Sequence, residues 1–256
     1  MHGITILPPP RTRFGCAYFG VRDPDLFERD LAAMAAAGFS WVLFPFTHDD
    51  AMWERATFAG LVQAAEAAGL ESVISLWGGD EFGGEGVQTR LRTSEWLSRA
   101  KDTGARCLHV DEPRVSSMTL PSILDAWGDD RSAWLTIQPD RTGLIDAETR
   151  RRVAILGTDA YDGDLDERVG VTRGFEEATG RLDLAWVQAF RIAEGDEAFV
   201  GRTVEAMATL APVVGIWGWK GSTGRGELRS ARPGEVQRAI NEAVGRVLEQ
   251  QARRAA

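Results

Sequence analysis

Eight times along this chain a short apolar run of strand character gives way to a helical pattern, with a repeat of roughly 30 residues. The strand-like runs cover 14–20, 39–46, 72–77, 106–111, 133–138, 155–161, 184–190 and 213–219. Helices are predicted at 26–37, in a stretch ending at Gly69, from Thr93/Ser94 to Gly104, and at 120–127 and 146–153. The remaining three fall at about 166–179, 197–210 and 233–250. Strict alternation demands parallel strands joined by right-handed crossovers, and eight such units at 256 residues close on themselves. The expected fold class is therefore α/β, a single-domain (β/α)8 barrel spanning 1–256, with 1–13 an extended, proline-bearing lead-in. A doubly wound open sheet is the rival, but no G-x-G-x-x-G follows the first strand.

Local punctuation agrees with this division. Asp23-Pro24 supplies an N-cap and a proline at the first helical position. Gly38, Gly69, Gly104 and Gly128 each stand just past a helix, where a left-handed residue ends it. The second run, Phe39 to Phe46, is almost continuously apolar, as a strand buried on both faces should be.

A net charge of −9 and a pI near 5.0 argue against nucleic acid or an anionic membrane as partner. No apolar run approaches the roughly 20 residues that span a bilayer, and the start lacks the pattern of a secretory signal. Cys16 and Cys107 each fall inside a strand, which reads as two reduced core thiols in a cytoplasmic protein. No cofactor or metal is called for, and the expected partner is a small molecule or an oligosaccharide.

Function is concentrated where strands end. In Arg106-Cys107-Leu108-His109-Val110-Asp111-Glu112-Pro113-Arg114, Leu108 and Val110 form one face, while Cys107, His109 and Asp111 form the other. A barrel strand that delivers acids at its C-terminal end places them where such folds keep their active sites. Period 2 on the other strands brings Trp77, Gln138, Asp159, Gln188 and Trp217 to the same mouth, with Tyr161 and Trp219 continuing two of these faces. Carboxylates and amides hydrogen-bond hydroxyl groups, and flat aromatic rings stack on the C–H faces of pyranoses, so this is the chemistry of a carbohydrate pocket.

Asp159 lies within a strand pattern, where a buried carboxylate needs a partner or a function. Asp162 begins a turn signature with Gly163. The loop at 78–86 mixes five glycines with Asp80, Glu81 and Glu85, acids that would repel a phosphate, so it suits a neutral polyol. Asp49 and Asp50 fit the first turn of a helix, leaving His48 as a pocket candidate. His109 reads as a hydrogen-bonded core residue able to orient Asp111, and Lys220 as a cation at the rim that can pair with an acid.

With these residues in view, the chain resembles the TIM-barrel glycoside hydrolases. Asp111-Glu112-Pro113 resembles the Asn-Glu-Pro of the large retaining clan, whose fourth-strand glutamate is the acid/base. That clan also has a glutamate ending strand seven, whereas Val187-Gln188-Ala189-Phe190 offers none. In barrels resembling α-galactosidases the working acids end strands four and six, the places of Asp111 and Asp159. The resemblance implies cleavage of a glycosidic bond, with Asp111 or Glu112 as nucleophile or base and Asp159 as acid, or the reverse. A sugar isomerase, epimerase or lyase, with or without a divalent metal, and a non-catalytic sugar-binding barrel are the alternatives.

Overall fold

The computed structural model describes residues 11–19, 24–46, 55–76, 87–113, 119–222 and 228–255. Its strands are β1 (Arg13–Ala17), β2 (Trp41–Phe46), β3 (Glu71–Leu76), β4 (Cys107–Asp111), β5 (Ser132–Thr136), β6 (Ile155–Asp159), β7 (Leu184–Gln188) and β8 (Val213–Trp217). All neighbouring pairs are parallel, and β8 returns to β1 to close the barrel. The helices are α1 (Pro24–Ala36), α2 (Arg55–Ala67), α3 (Val87–Asp102), α4 (Thr119–Trp127), α5 (Ala147–Arg152), α6 (Leu165–Thr179), α7 (Glu197–Met207) and α8 (Pro233–Ala255). This is the (β/α)8 barrel that the alternation predicts.

Period 2 divides the core into two shells. Outward residues such as Phe14, Val42, Leu108, Leu135, Val187 and Ile216 pack under the helices. Inward residues such as Trp41, Val73, Cys107, Trp134, Leu184, Trp186 and Val213 fill the barrel itself. Both cysteines are free and buried, and burial pushes both thiols above their usual range.

The interior is packed with indoles, and the register shows how they fit. Trp41 pairs with Gly15, Gly15 with Gly215, and Gly215 with Trp186, so four adjacent strands present Trp, Gly, Gly, Trp at one level. A β-carbon at Gly15 would fall inside the Trp41 ring, and one at Gly215 inside the Trp186 ring. Two adjacent glycines thus leave the width that two indoles occupy, meeting edge to face with centroids 5.7 Å apart.

Helix ends follow local chemistry. Asp164 and Glu167 form a reciprocal capping box at the start of α6, and Gly180 ends that helix at φ 70°. Asp146 caps α5 by accepting the Thr149 N–H at 2.7 Å. Several boundaries differ from the sequence expectation. Helix α3 already runs from Val87, so Thr93 and Ser94 lie within it rather than at its cap. Strands β5 to β8 stop about two residues early, because the chain turns away once its ladder bonds end: 3-10 turns begin at Pro139 and Trp219.

Among the described residues, no helix is long and apolar enough to cross a membrane.

Candidate active site

The C-terminal ends of β4, β5, β6 and β8 open on a cavity of about 630 Å³. Seven of the sequence candidates line it: Asp111, Glu112, Gln138, Asp159, Tyr161, Asp162 and Trp217. His48, Trp77, Asp80, Glu81 and Glu85 lie outside the described residues.

Adjacent strand residues point to opposite faces, so Asp111 and Glu112 would not ordinarily share a mouth. They do so here because Glu112 has φ 37°, in the left-handed region rare for residues with a side chain. Two bonds to the β5 end hold that turn. The Glu112 N–H donates to the Thr136 carbonyl at 3.0 Å, and the Gln138 amide donates to Glu112 Oε2 at 2.7 Å.

Glu112 in turn shares a hydrogen bond with the side chain of Asp159 from β6. Burial, then that bond and the charges of Glu112 and Asp111, push Asp159 up to about 9. Asp111 is also raised, by burial first and then by Glu112. Carboxyls this close cannot all ionise together, so the cluster keeps protons at neutral pH. Asp159 Oδ1 is sealed from solvent and has no hydrogen-bond partner among the described residues.

The wall beside this cluster is aromatic. Tyr161 and Phe190 meet edge to face at 5.6 Å and 87°, and burial raises the Tyr161 phenol before the neighbouring acids add to the effect. Trp217 is only 6% exposed and packs edge-on against Trp186 and Phe19, so it is floor more than platform.

Three expectations need correction. Gln188 ends β7 as predicted but is not among the lining residues. Its amide nitrogen donates to the Phe190 carbonyl at 3.1 Å, and its oxygen accepts from Arg168 at 3.4 Å. Trp219 does not continue the inward face of β8. It opens a 3-10 turn, is 2% exposed among the outer core residues, and donates to Asn241 at 3.4 Å. Lys220 follows at φ 59° and does pair with an acid as expected, but the acid is buried Asp30, which also accepts from the Tyr18 hydroxyl at 2.9 Å, and Lys220 does not line the cavity. That trio braces β1, α1 and the chain after β8, away from the cavity.

Sequence reasoning missed Pro139, Asp140, Ala160, Val171, Phe190 and Leu228 as lining residues. Asp140 and Pro139 carry only a turn signal, while Val171, on α6, is apolar and 43% exposed, and no local pattern marks it as cavity-facing. Arg168, on the same helix, is 8% exposed, beneath the ring of Phe199 at 4.9 Å and donating to the Gly163 carbonyl at 3.2 Å.

Beneath the carboxyls runs a buried polar chain. The Trp186 indole donates to Thr136 Oγ1 at 2.7 Å, Thr136 meets His109 Nε2 at 2.7 Å, and His109 Nδ1 meets Ser75 Oγ at 2.8 Å. A Thr136 hydroxyl that donates to Nε2 leaves the imidazole proton on Nδ1, directed at Ser75, and satisfies every member. His109 is thus the hydrogen-bonded core histidine that the sequence implied. Burial lowers its pKa to about 3. Because the folded value lies below the unfolded one, the stability it contributes is present above about pH 6.5. It is lost as pH falls through about 3. In an NMR titration the ring should stay neutral to about pH 3; protonation near the ordinary histidine value would refute the buried network.

Among the described residues, no group of three or more His, Cys, Asp and Glu side chains has an arrangement suited to a metal ion.

No protein-family model and no curated protein matches the chain. Solved structures do. A GH5_18 glycoside hydrolase of Bifidobacterium longum subsp. longum, in complex with Manβ1-4GlcNAc, aligns at TM-score 0.64 and 12% identity, over 94% of this chain and 78% of that one. A GH30 endoxylanase of Clostridium papyrosolvens aligns at TM-score 0.61 and 10% identity, over 94% and 72%. A truncated 3-deoxy-D-arabino-heptulosonate 7-phosphate synthase of Thermotoga maritima aligns at TM-score 0.59 and 10% identity, over 98% and 90%. These three neighbours are enzymes of more than one chemistry, and at such identities the likeness is one of fold.

Proposed function

We propose that this barrel is a glycoside hydrolase-like enzyme whose carboxyl cluster at the ends of β4 and β6 cleaves a glycosidic bond. The observation that carries this reading is Asp159, held protonated against Glu112 beside a second acid, Asp111, in an aromatic-walled cavity. A carboxyl that keeps its proton at neutral pH is what a general acid requires. Asp159 gives that proton to the leaving glycosidic oxygen as the C–O bond breaks. Asp111 attacks the anomeric carbon or takes a proton from the attacking water, and its raised pKa makes its ionised form the stronger base.

Glu112 is assigned to neither role. Carboxyls that share a hydrogen bond lie within about 3 Å of each other, inside the ~5–5.5 Å of a retaining pair. Glu112, steadied by Gln138, therefore works as the partner that holds the Asp159 proton until it is needed. The same close contact also favours a second reading. A dyad sharing one proton suits an isomerase, epimerase or lyase that moves a proton to and from a sugar carbon.

A panel of aryl glycosides and neutral oligosaccharides, followed by product detection, separates these readings. Hydrolysis is expected for at least one substrate, with the Asp111→Asn variant slower by about 10²-fold or more while its melting temperature is retained. A product of unchanged mass would favour isomerisation. Binding without any product would leave a sugar-binding barrel, and equal turnover by Asp111→Asn would remove Asp111 from the mechanism.

A further inference from the structure

When two carboxyls share one proton, their other hydrogen-bond partners decide which of them carries it. Glu112 Oε2 accepts from the Gln138 amide nitrogen at 2.7 Å. On the other side of the pair, Asp159 Oδ1 is sealed from solvent and has no partner among the described residues. Asp159's own main-chain N–H does reach its carboxyl, with the smallest influence of those acting on it. Each donor stabilises a carboxylate, and a buried oxygen without a donor costs far less on a neutral carboxyl than on an ionised one. The donors thus favour charge on Glu112 and the proton on Asp159.

The backbone holds this donor in place. Pro139 restricts the residue before it to extended conformations, and Gln138 has φ −61° and ψ 143°. Its carbonyl accepts the Arg141 N–H at 2.9 Å where the 3-10 turn begins, and its side chain takes no part in capping that turn. The amide is left for Glu112, whose left-handed backbone is already tied to the Thr136 carbonyl at the end of β5.

The other charged groups nearby do not choose between the two carboxyls. Asp111, from β4, repels charge on Asp159 and on Glu112 alike. Tyr161 faces all three acids and also feels Arg168 of α6. Asp140 and Asp162 are the remaining acids of the described lining.

We infer that Gln138 is the positioning residue of the acid pair: by donating to Glu112 it makes Glu112 the acceptor and assigns the shared proton to Asp159. This rests on the acid role proposed for Asp159 and names the group that sets it. Gln138→Met keeps the length of the side chain and removes the donor, so the proton should then divide between the two carboxyls.

The test is carbon-13 NMR of the full chain at pH 7, with side-chain carboxyls labelled first in Asp and then in Glu. The signals are assigned by their loss in Asp159→Asn and Glu112→Gln. In the wild type the Asp159 signal is expected at the position of a protonated carboxyl. Losing one charge-assisted bond should change the ratio of the two proton placements by about tenfold. In Gln138→Met the Asp159 signal should therefore move about halfway toward the ionised position, while the Glu112 signal moves the opposite way. A purely structural role would lower the melting temperature without exchanging the two signals. An Asp159 signal unmoved in Gln138→Met overturns the inference and leaves the acid role standing. An ionised Asp159 in the wild type overturns both. If the variant does not fold, hydrogen exchange of the wild-type Gln138 amide decides: one N–H should exchange at least about tenfold more slowly than its twin, and equal rates overturn the inference.

Discussion

Replacing Asp159 with Asn is expected to lower turnover by about 10²–10⁴-fold while raising stability at neutral pH. The two effects have one cause. Asp159 is raised to about 9 by burial and by Glu112 and Asp111, so the folded protein holds a proton that the unfolded chain gives up near the ordinary aspartate value. A folded pKa above the unfolded one means that the associated stability is complete below about pH 4. It is lost as pH rises through about 9. An amide of the same shape cannot ionise, so the variant escapes this loss and should gain roughly 1–3 kcal/mol at pH 7. It also has no acid proton to give. Activity of the wild type should likewise fall on the alkaline side as pH passes about 9, where Asp159 ionises. Urea unfolding at pH 4 and pH 8, paired with turnover, reads both halves. A variant equally active, or destabilised at pH 8 relative to pH 4, contradicts the role given to Asp159.

Gly15→Ala is expected to destabilise the barrel by about 3 kcal/mol or more, beyond the usual range for overpacking by a methyl group. The added carbon falls within the Trp41 indole, and that ring has no room to retreat. It is fully buried, with Trp134 at 5.0 Å and Trp186 at 5.7 Å, each edge to face. The barrel is closed, so β1 cannot move outward without loosening its ladders to both β2 and β8. Trimming the obstructing ring isolates the cause. The double variant Gly15→Ala/Trp41→Leu should be more stable than the sum of the two single losses, because the clash is absent once the indole is gone. Strict additivity in chemical denaturation would show that the two side chains do not compete for this space.

The barrel was legible in the chain because its signals are local and periodic. Leu108 and Val110 against Cys107, His109 and Asp111 already separate the two faces of β4, and the structure places the first pair under the helices and the others inside. Where the period itself breaks, the reading went astray. The alternation of β8 predicts an inward face through Trp219, yet the strand ends at Trp217, and the following turn sends Trp219 into the outer core and Lys220 to Asp30. Gln188 has the right strand and the right face, but a buried arginine from α6 claims its oxygen. Nothing within a few residues of Gln188 announces that arginine, since Asp166-Glu167-Arg168 reads as an ordinary solvated helix start.

The sequence by itself determined that this chain is an eight-fold α/β repeat and that Asp111 and Asp159 stand at the ends of strands on one side of it. Side-chain direction along a strand depends only on the strand, so the pattern suffices. The tertiary structure alone decided that Glu112 turns back to join them, through a left-handed residue pinned by Thr136 and Gln138 from the next strand. It alone decided, too, that Asp159 keeps a proton at neutral pH. Proton affinity follows from burial and from the distance to other charges, and both are set by segments about 50 residues apart in the chain that only closure of the barrel brings together.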